Sequence, residues 1–462
     1  MAAARIGLGI LVALGIGTAQ ASVDLVAFGS ISGTYQDLSP RTAAPLENGV
    51  AGNRLGGLGS GIAYAGGTTF VAVPDRGPNA VSFNSAVDDT ASYINRFQTF
   101  NLATAPNPDY DPSSPASLPL VLTPTLRNTT LLSSPTPLVY GSGAGLGVGG
   151  GAPALNRRHV FYFTGRSDNF DPNQPSTNDR NARLDPESIR VSNDGLSVFI
   201  SDEYGPHVYQ FDRATGSRIR SFSLPAELAV KNSSPMGSVE ISGNTVGRIA
   251  NKGMEGLAIT PNGRTLVGSI QAPLEQDTQN VIRLVSIDIR SGAVHEYAYQ
   301  LTTGSGVSDI VAINDHEFLL DERDGKGLGD GSVAKVKQLF RINLQGATDI
   351  SGKSGDLSAF AVPKSLFLNI VTQLNAKGIT SDLIPAKIEG TAFGPDVTLG
   401  GVTRHTLYIA NDNDFLASFN GVDNPNKFFV FAFDDADLPG FQPQSIREQD
   451  LLECGSEFDL ND

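Results

Sequence analysis

The chain reads as an all-β protein, a single β-propeller of six blades within a range of five to seven, and three observations carry that reading. Helix-like runs rich in Ala, Leu, Glu and Lys are scarce, whereas Gly (51) and Pro (27) are abundant, a composition suited to short strands joined by turns. A strand–turn–strand pattern with acidic residues at its open end recurs along the chain. Most copies run on into further strand-like sequence, at 208–211, 282–289, 338–342 and 428–433. A strand pair alone cannot bury both of its faces, so such units must pack around an axis.

The first 21 residues read as an export signal. Arg5 precedes an apolar run at 6–16, and Ala19-Gln20-Ala21 fits the small-x-small cleavage pattern. The run falls short of the roughly 20 residues a membrane span needs. Cleavage before Ser22 therefore sends the protein to the periplasm or the medium, with no membrane attachment in the mature form. The formal charge of −15 becomes −16 when Arg5 leaves (−15 − 1 = −16). An acidic surface argues against nucleic acid or anionic membrane as partner. A single cysteine, Cys454, excludes an internal disulfide, and the five histidines show no close ligand spacing. Any metal site must therefore rest on oxygen ligands.

Taken in order, the copies begin with Gly56 to Tyr64, returning at 69–73 into Pro74-Asp75-Arg76. A weak copy starts at Gly151, returns at 159–163 and leads to Arg166-Ser167-Asp168. The clearest runs from Asp185-Pro186-Glu187 through the turn Asn193-Asp194-Gly195 to Ser201-Asp202-Glu203; Asn-Asp-Gly between apolar runs is a hairpin signal. Further copies open at Met254-Glu255-Gly256, at Ser308-Asp309 (closing with Asp321-Glu322-Arg323) and at Ile388-Glu389-Gly390 (closing with Asn411-Asp412-Asn413-Asp414). Residues 22–31 and 428–433, both strand-like, are expected to share one blade and close the ring. Segments 105–137, 168–183 and 221–248, with the Gly-rich tract 141–151, read as surface loops. One propeller domain over 22–440 and a tail over 441–462 follow, expected as a monomer; a two-domain split near residue 140 is the alternative.

In a propeller blade the innermost strand runs along the channel and its partner runs back beside it. Residues before the first strand and after the second then meet at one mouth, which gathers Asp75, Arg76, Glu187, Asp202, Glu203, Glu255, Asp309, Asp321, Glu322, Glu389, Asp412 and Asp414. So many carboxylates repel unless cations screen them, and hard cations with oxygen ligands, calcium first, suit them. Asp75, Asp202, Glu203, Glu255, Glu322 and Asp412 are the candidate metal ligands. Glu187, Glu255, Glu389 and Asp321 are the candidate catalytic carboxylates, and Arg76, Lys252, Arg323 and Lys387 the candidate substrate-binding cations. The structural alternative is that Asp and Asn after a strand merely cap turns.

The motifs GGLGSGIAY, VPDRGPN, DPESIRVSNDGLSVFISDEYGP, KGMEGLAITPNG, LLDERDG, KIEGTAF and LYIANDND together resemble the phytase-like family, described as having esterase-like activity, over about residues 50–435. The resemblance implies a secreted bacterial β-propeller acting as a phosphoesterase or esterase. The copy near Gly151 departs from it, with Gly150 where Glu187 and Glu255 sit. No Ser occupies a GxSxG elbow, which leaves an α/β-hydrolase nucleophile unsupported. The expected activity is calcium-assisted hydrolysis of a small anionic phosphoester. A lactonase or carboxylesterase, and a non-catalytic calcium-stabilised binding propeller, are the alternatives.

Overall fold

The computed structural model describes residues 23–81, 86–147 and 149–449. The expected export signal and the segment carrying Cys454 lie outside them.

Five antiparallel four-stranded sheets form the blades. From the axis outward, the first is Gly61–Tyr64, Thr69–Val73, Arg96–Pro106 and Leu120–Leu131. The second is Pro186–Val191, Ser197–Asp202, His207–Asp212 and Arg218–Ser223. The third is Met254–Ile259, Thr265–Ile270, Val281–Asp288 and Val294–Gln300. The fourth is Gly306–Ala312, Glu317–Arg323, Lys337–Asn343 and Lys364–Asn369. The fifth is Lys387–Leu399, Val402–Asp412, Asn426–Phe433 and, at its outer edge, Asp24–Ile31. There Asp24 pairs with Ala432 and Ile31 with Asn426. Each innermost strand lies against that of the next blade, and the fifth lies against the first.

The expected six blades are corrected to five. Among the described residues, the weak copy near Gly151 yields an isolated bridge between Arg157 and Val160 and the short pairing of Phe161–Tyr162 with Ser133–Ser134. Its return run is short and its opening is a glycine-rich series of turns, so no ladder propagates. Segment 105–137 departs from a simple loop as well, because Leu120–Leu131 supplies the outer strand of the first blade.

Burial explains the inner strands. Pro186–Val191, Met254–Ile259 and Gly306–Ala312 are buried at every position, because blades cover both of their faces. Their sequences mix apolar residues with buried Glu187, Ser188, Arg190, Glu255, Ser308 and Asp309. Turn chemistry then sets the hairpins: Gly195 and Gly263 adopt φ of 73° and 70°, a region glycine enters without Cβ strain.

Around the axis the inner strands come too close for side chains. A Cβ on Gly61 would lie 2.7 Å from Ser188 Cα, and one on Gly256 2.9 Å from Asp309 Cα. One polar strut crosses the channel at this level. Asp309, wholly buried, accepts from Ser188 Oγ at 3.0 Å, Arg190 Nη2 at 2.9 Å, and Thr391 N and Oγ1 at 2.8 and 2.9 Å. Arg190 Nη1 also donates to Ile62 O at 2.7 Å. Four blades are thereby tied together inside the channel. Beyond the strut the chain crosses the far end: Gln442 N donates to Ile313 O at 2.8 Å, and the Gln444 side chain to Val191 O at 2.8 Å. Pro443 and Gln444 cap a small cavity bounded by Ala63, Arg190, Ile259, Val311 and Phe393. The channel is closed there.

Candidate active site

The open end of the channel carries the acids. Glu187, Glu255 and Glu389 occupy the same place in the second, third and fifth inner strands, where Ser60 and Ser308 stand in the first and fourth. Pairing register slips at this point in four blades, between Pro186 and Ile189, Met254 and Gly256, Val307 and Ile310, and Ile388 and Thr391. A bulge of this kind re-aims a side chain that regular alternation would place elsewhere.

Three carboxylates converge most closely. Ligand oxygens of Asp185, Glu187 and Glu203 lie within 4.8 Å of one another, all buried. Asp185 is held by Arg76, whose backbone N and Nη1 donate at 3.0 and 2.9 Å, and Arg76 Nη2 reaches Asp88 at 2.9 Å. Glu203 accepts from Gly253 N at 2.7 Å and lies 3.8 Å from Arg76. Glu187 makes no hydrogen bond or ion pair among the described residues. Beside this trio, Arg323 bridges Glu389 and Glu255, the latter at 3.4 Å, and Gln271 Nε2 donates to Glu255 at 2.7 Å. Lys387 pairs with Asp412 at 2.8 Å and with Asp414. Asp75, partly exposed, accepts from Gly77 N at 2.9 Å.

Acids outnumber cations here, and the carboxyl pKa values rise accordingly. Burial, with Glu255 and Asp185 nearby, pushes Glu187 well above the usual carboxylate range. Burial and the charges of Glu203 and Glu389 do the same to Glu255. Burial and Asp185 push Glu203 up to about 8. Glu389 is raised by burial to about 7, with Arg323 and Lys387 opposing the shift. Asp75 rises through burial and its neighbour Asp412. Repulsion among buried acids marks a place where positive charge is wanted.

Not every sequence candidate joins this cluster. Asp321 lies deeper, accepting from Ser308 Oγ at 3.0 Å, with its Oδ1 unpartnered and burial raising its pKa to about 7. Asp202 spends its oxygens on the N–H groups of Asp185, Tyr204 and Gly205, the turn-capping role weighed above. Glu322 points into the outer part of its blade, accepting from Thr303 N and Oγ1 at 2.9 and 2.6 Å and pairing with Lys364. Lys252 lines clefts at the rim with Glu275 and Ile249. Asp185, absent from the sequence candidates, is the added member; its signal was its place two residues before Glu187.

A cleft of about 960 Å³ opens beside the cluster, lined among others by Asp75, Arg76, Asn79, Lys387, Asp414, Phe415, Leu416 and Phe419.

Five antiparallel blades around a channel blind at one end and acid-lined at the other define a β-propeller with a buried carboxylate site. The chain belongs to the phytase-like family, described as "esterase-like activity of phytase", whose family model matches residues 53–415. An uncharacterized secreted protein of Arthroderma benhamiae is 30% identical over 368 residues, 68% of each chain. Among solved structures, the periplasmic gluconolactonase of Pseudomonas aeruginosa is similar at 13% identity over 80% of this chain and 87% of that one, with a TM-score of 0.30. The PQQ-bound aldose sugar dehydrogenase of Streptomyces coelicolor shows 12% identity over 90% and 96%, with a TM-score of 0.30. Likeness at that level carries no argument about activity.

Proposed function

We propose that this protein is an exported, monomeric, cation-dependent hydrolase of phosphoesters working at the acid-lined mouth. The observation that carries the reading is the trio Asp185, Glu187 and Glu203, with the Glu187 carboxylate left unpaired among the described residues. Buried hard oxygens with surplus negative charge fit a hard divalent cation, calcium first. Asp185, Glu187 and Glu203 would hold it, and when bound it would neutralise phosphoryl charge and acidify water.

The chain's own groups supply the rest. Arg323, anchored by Glu255 and Glu389, presents a guanidinium toward the mouth, where it would hold a phosphoryl oxygen and stabilise charge that develops on it. Glu389, with its pKa raised to about 7, is suited to take a proton from an attacking water near neutral pH. Arg76 fixes Asp185 and so orients the trio. The closed far end restricts entry to the mouth.

The test is hydrolysis by the mature protein, with calcium and after chelation, on a phosphomonoester, phytate, a phosphodiester, a lactone and a short acyl ester. Calcium-dependent turnover confined to phosphoesters is expected. Turnover of the lactone or acyl ester alone would replace the phosphoryl reading, and a calcium-raised Tm with no turnover would make the site a binding module.

A further inference from the structure

The cleft beside the mouth has two unlike sides. Its floor carries Arg76 and Lys387, and each is already committed to carboxylates: Arg76 to Asp185 and Asp88, Lys387 to Asp412 and Asp414. Its wall is apolar. Leu416 is 43% exposed there, and Phe415 and Phe419 stand beside it. Phe415 is buried and Phe419 half-buried, so Leu416 and the open part of Phe419 offer the apolar surface of this concavity, next to reactive groups, to an apolar ligand portion.

The wall is built rather than incidental. Asp414 and Phe415 adopt consecutive positive φ angles of 52° and 56°, a conformation costly for non-glycine residues and kept where the surroundings enforce it. Asp414 N donates to Asp412 at 2.6 Å. The Phe415 ring packs edge-on to Tyr93 with centroids 5.1 Å apart, and a Cβ on Gly56 would lie 2.6 Å from that ring. One strained dipeptide thus sets Asp414 on the floor and Phe415 in the wall.

We infer that this cleft takes the apolar or aromatic alcohol portion of a phosphomonoester, and that a polyphosphorylated polyol is not the substrate. The inference rests on the phosphoryl reading given above. A polyphosphate would need several uncommitted cations, and among the described residues lining this cleft there is none, whereas one phosphoryl group needs only the cation-binding trio and Arg323. Hydrolysis would break the bond between phosphorus and the alcohol oxygen. The hydroxyl of water joins phosphorus and its remaining proton joins the released alcohol.

Calorimetric titration of the mature protein in calcium with phenylphosphonate, methylphosphonate and phytate tests this without relying on turnover. Phenylphosphonate is expected to bind about tenfold or more tighter than methylphosphonate, from the added buried area. Leu416→Ala and Phe419→Ala are expected to erase most of that preference while leaving the calcium-induced rise in Tm unchanged. Equal affinity for the two phosphonates, or phytate binding tighter than phenylphosphonate, would overturn the cleft assignment and leave the phosphoryl reading standing. Binding of none of the three would overturn both.

Discussion

Glu187 is buried beside other acids, its carboxylate with no partner among the described residues, while Glu255 and Glu389 share Arg323. Removing its charge should relieve repulsion and remove a ligand together. Glu187→Gln is expected to raise the Tm of the calcium-free protein, by about 1 kcal/mol or more of stability, and to abolish most of the further rise on adding calcium. Turnover should fall about 100-fold or more; a variant with unchanged calcium response would remove Glu187 from the site. The pH dependence carries a definite sign. Glu203 and Glu389 have folded pKa values raised to about 8 and 7 from 4.5, so the folded chain binds protons more tightly than the unfolded one. Their contribution is greatest below pH 4.5 and is lost as pH rises through 7 and 8. Calcium-free stability from these groups should therefore decline from about pH 5 to 8, and saturating calcium should flatten the decline. His207 has the opposite sign: buried, with its pKa lowered to about 4, it removes stability as pH falls below about 6.5. Urea melts across pH with and without calcium separate the two. The three glutamates were legible because their motif repeats. Glu322 misled because adjacent strand residues face opposite sides: Asp321 turns toward Ser308 and Glu322 toward Thr303 and Lys364, and a rule based on position after a strand does not fix that parity.

At the scale of elements, the inner strands work by being thin. Adding a methyl at Gly256 would bring Cβ to 2.5 Å from Ser269 Oγ and 2.9 Å from Ile310 N. Gly256→Ala is expected to cost about 2 kcal/mol in urea unfolding; an unchanged midpoint would mean that the strands can part without loss. Asp309→Asn leaves Arg190 buried without its anionic partner and is expected to cost about 3 kcal/mol. Strand pairs and their turns were readable from alternation and from Asn-Asp-Gly and Pro-Asn-Gly. Blade count was not, because Gly151 to Phe163 resembles the repeat in sequence but forms one isolated bridge, Arg157 with Val160, and a two-residue pairing with Ser133–Ser134. A ladder needs length as well as pattern. The bulges that aim the acids were also hidden, since a bulge is a property of the partner strand as much as of its own residues.

Across the whole molecule, the tail is part of the channel. Phe441 packs against Phe393 and Phe433, while Gln444 and Arg447 hold the second blade's turn at Asn193. Truncation after Gly440 is expected to lower stability by about 2 kcal/mol, mostly from the lost Phe441 burial, while calcium affinity at the opposite end stays unchanged; loss of calcium binding would show that the two ends are coupled. The fifth blade has a consequence in time rather than in space. Its edge strand starts at Asp24 and its neighbour ends at Phe433, so nearly the whole sequence must be present before that sheet can be completed. Pairings so distant along the chain pay their entropy late. Refolding should accordingly be slow, with amide protection in Asp24–Ile31 and Asn426–Phe433 appearing after that of the second and third blades, whose strands are local hairpins. Until then the protein is an open arc, in which Asp185, Glu187 and Glu203 already share one hairpin while Glu389, on the last blade, still waits for its place beside them.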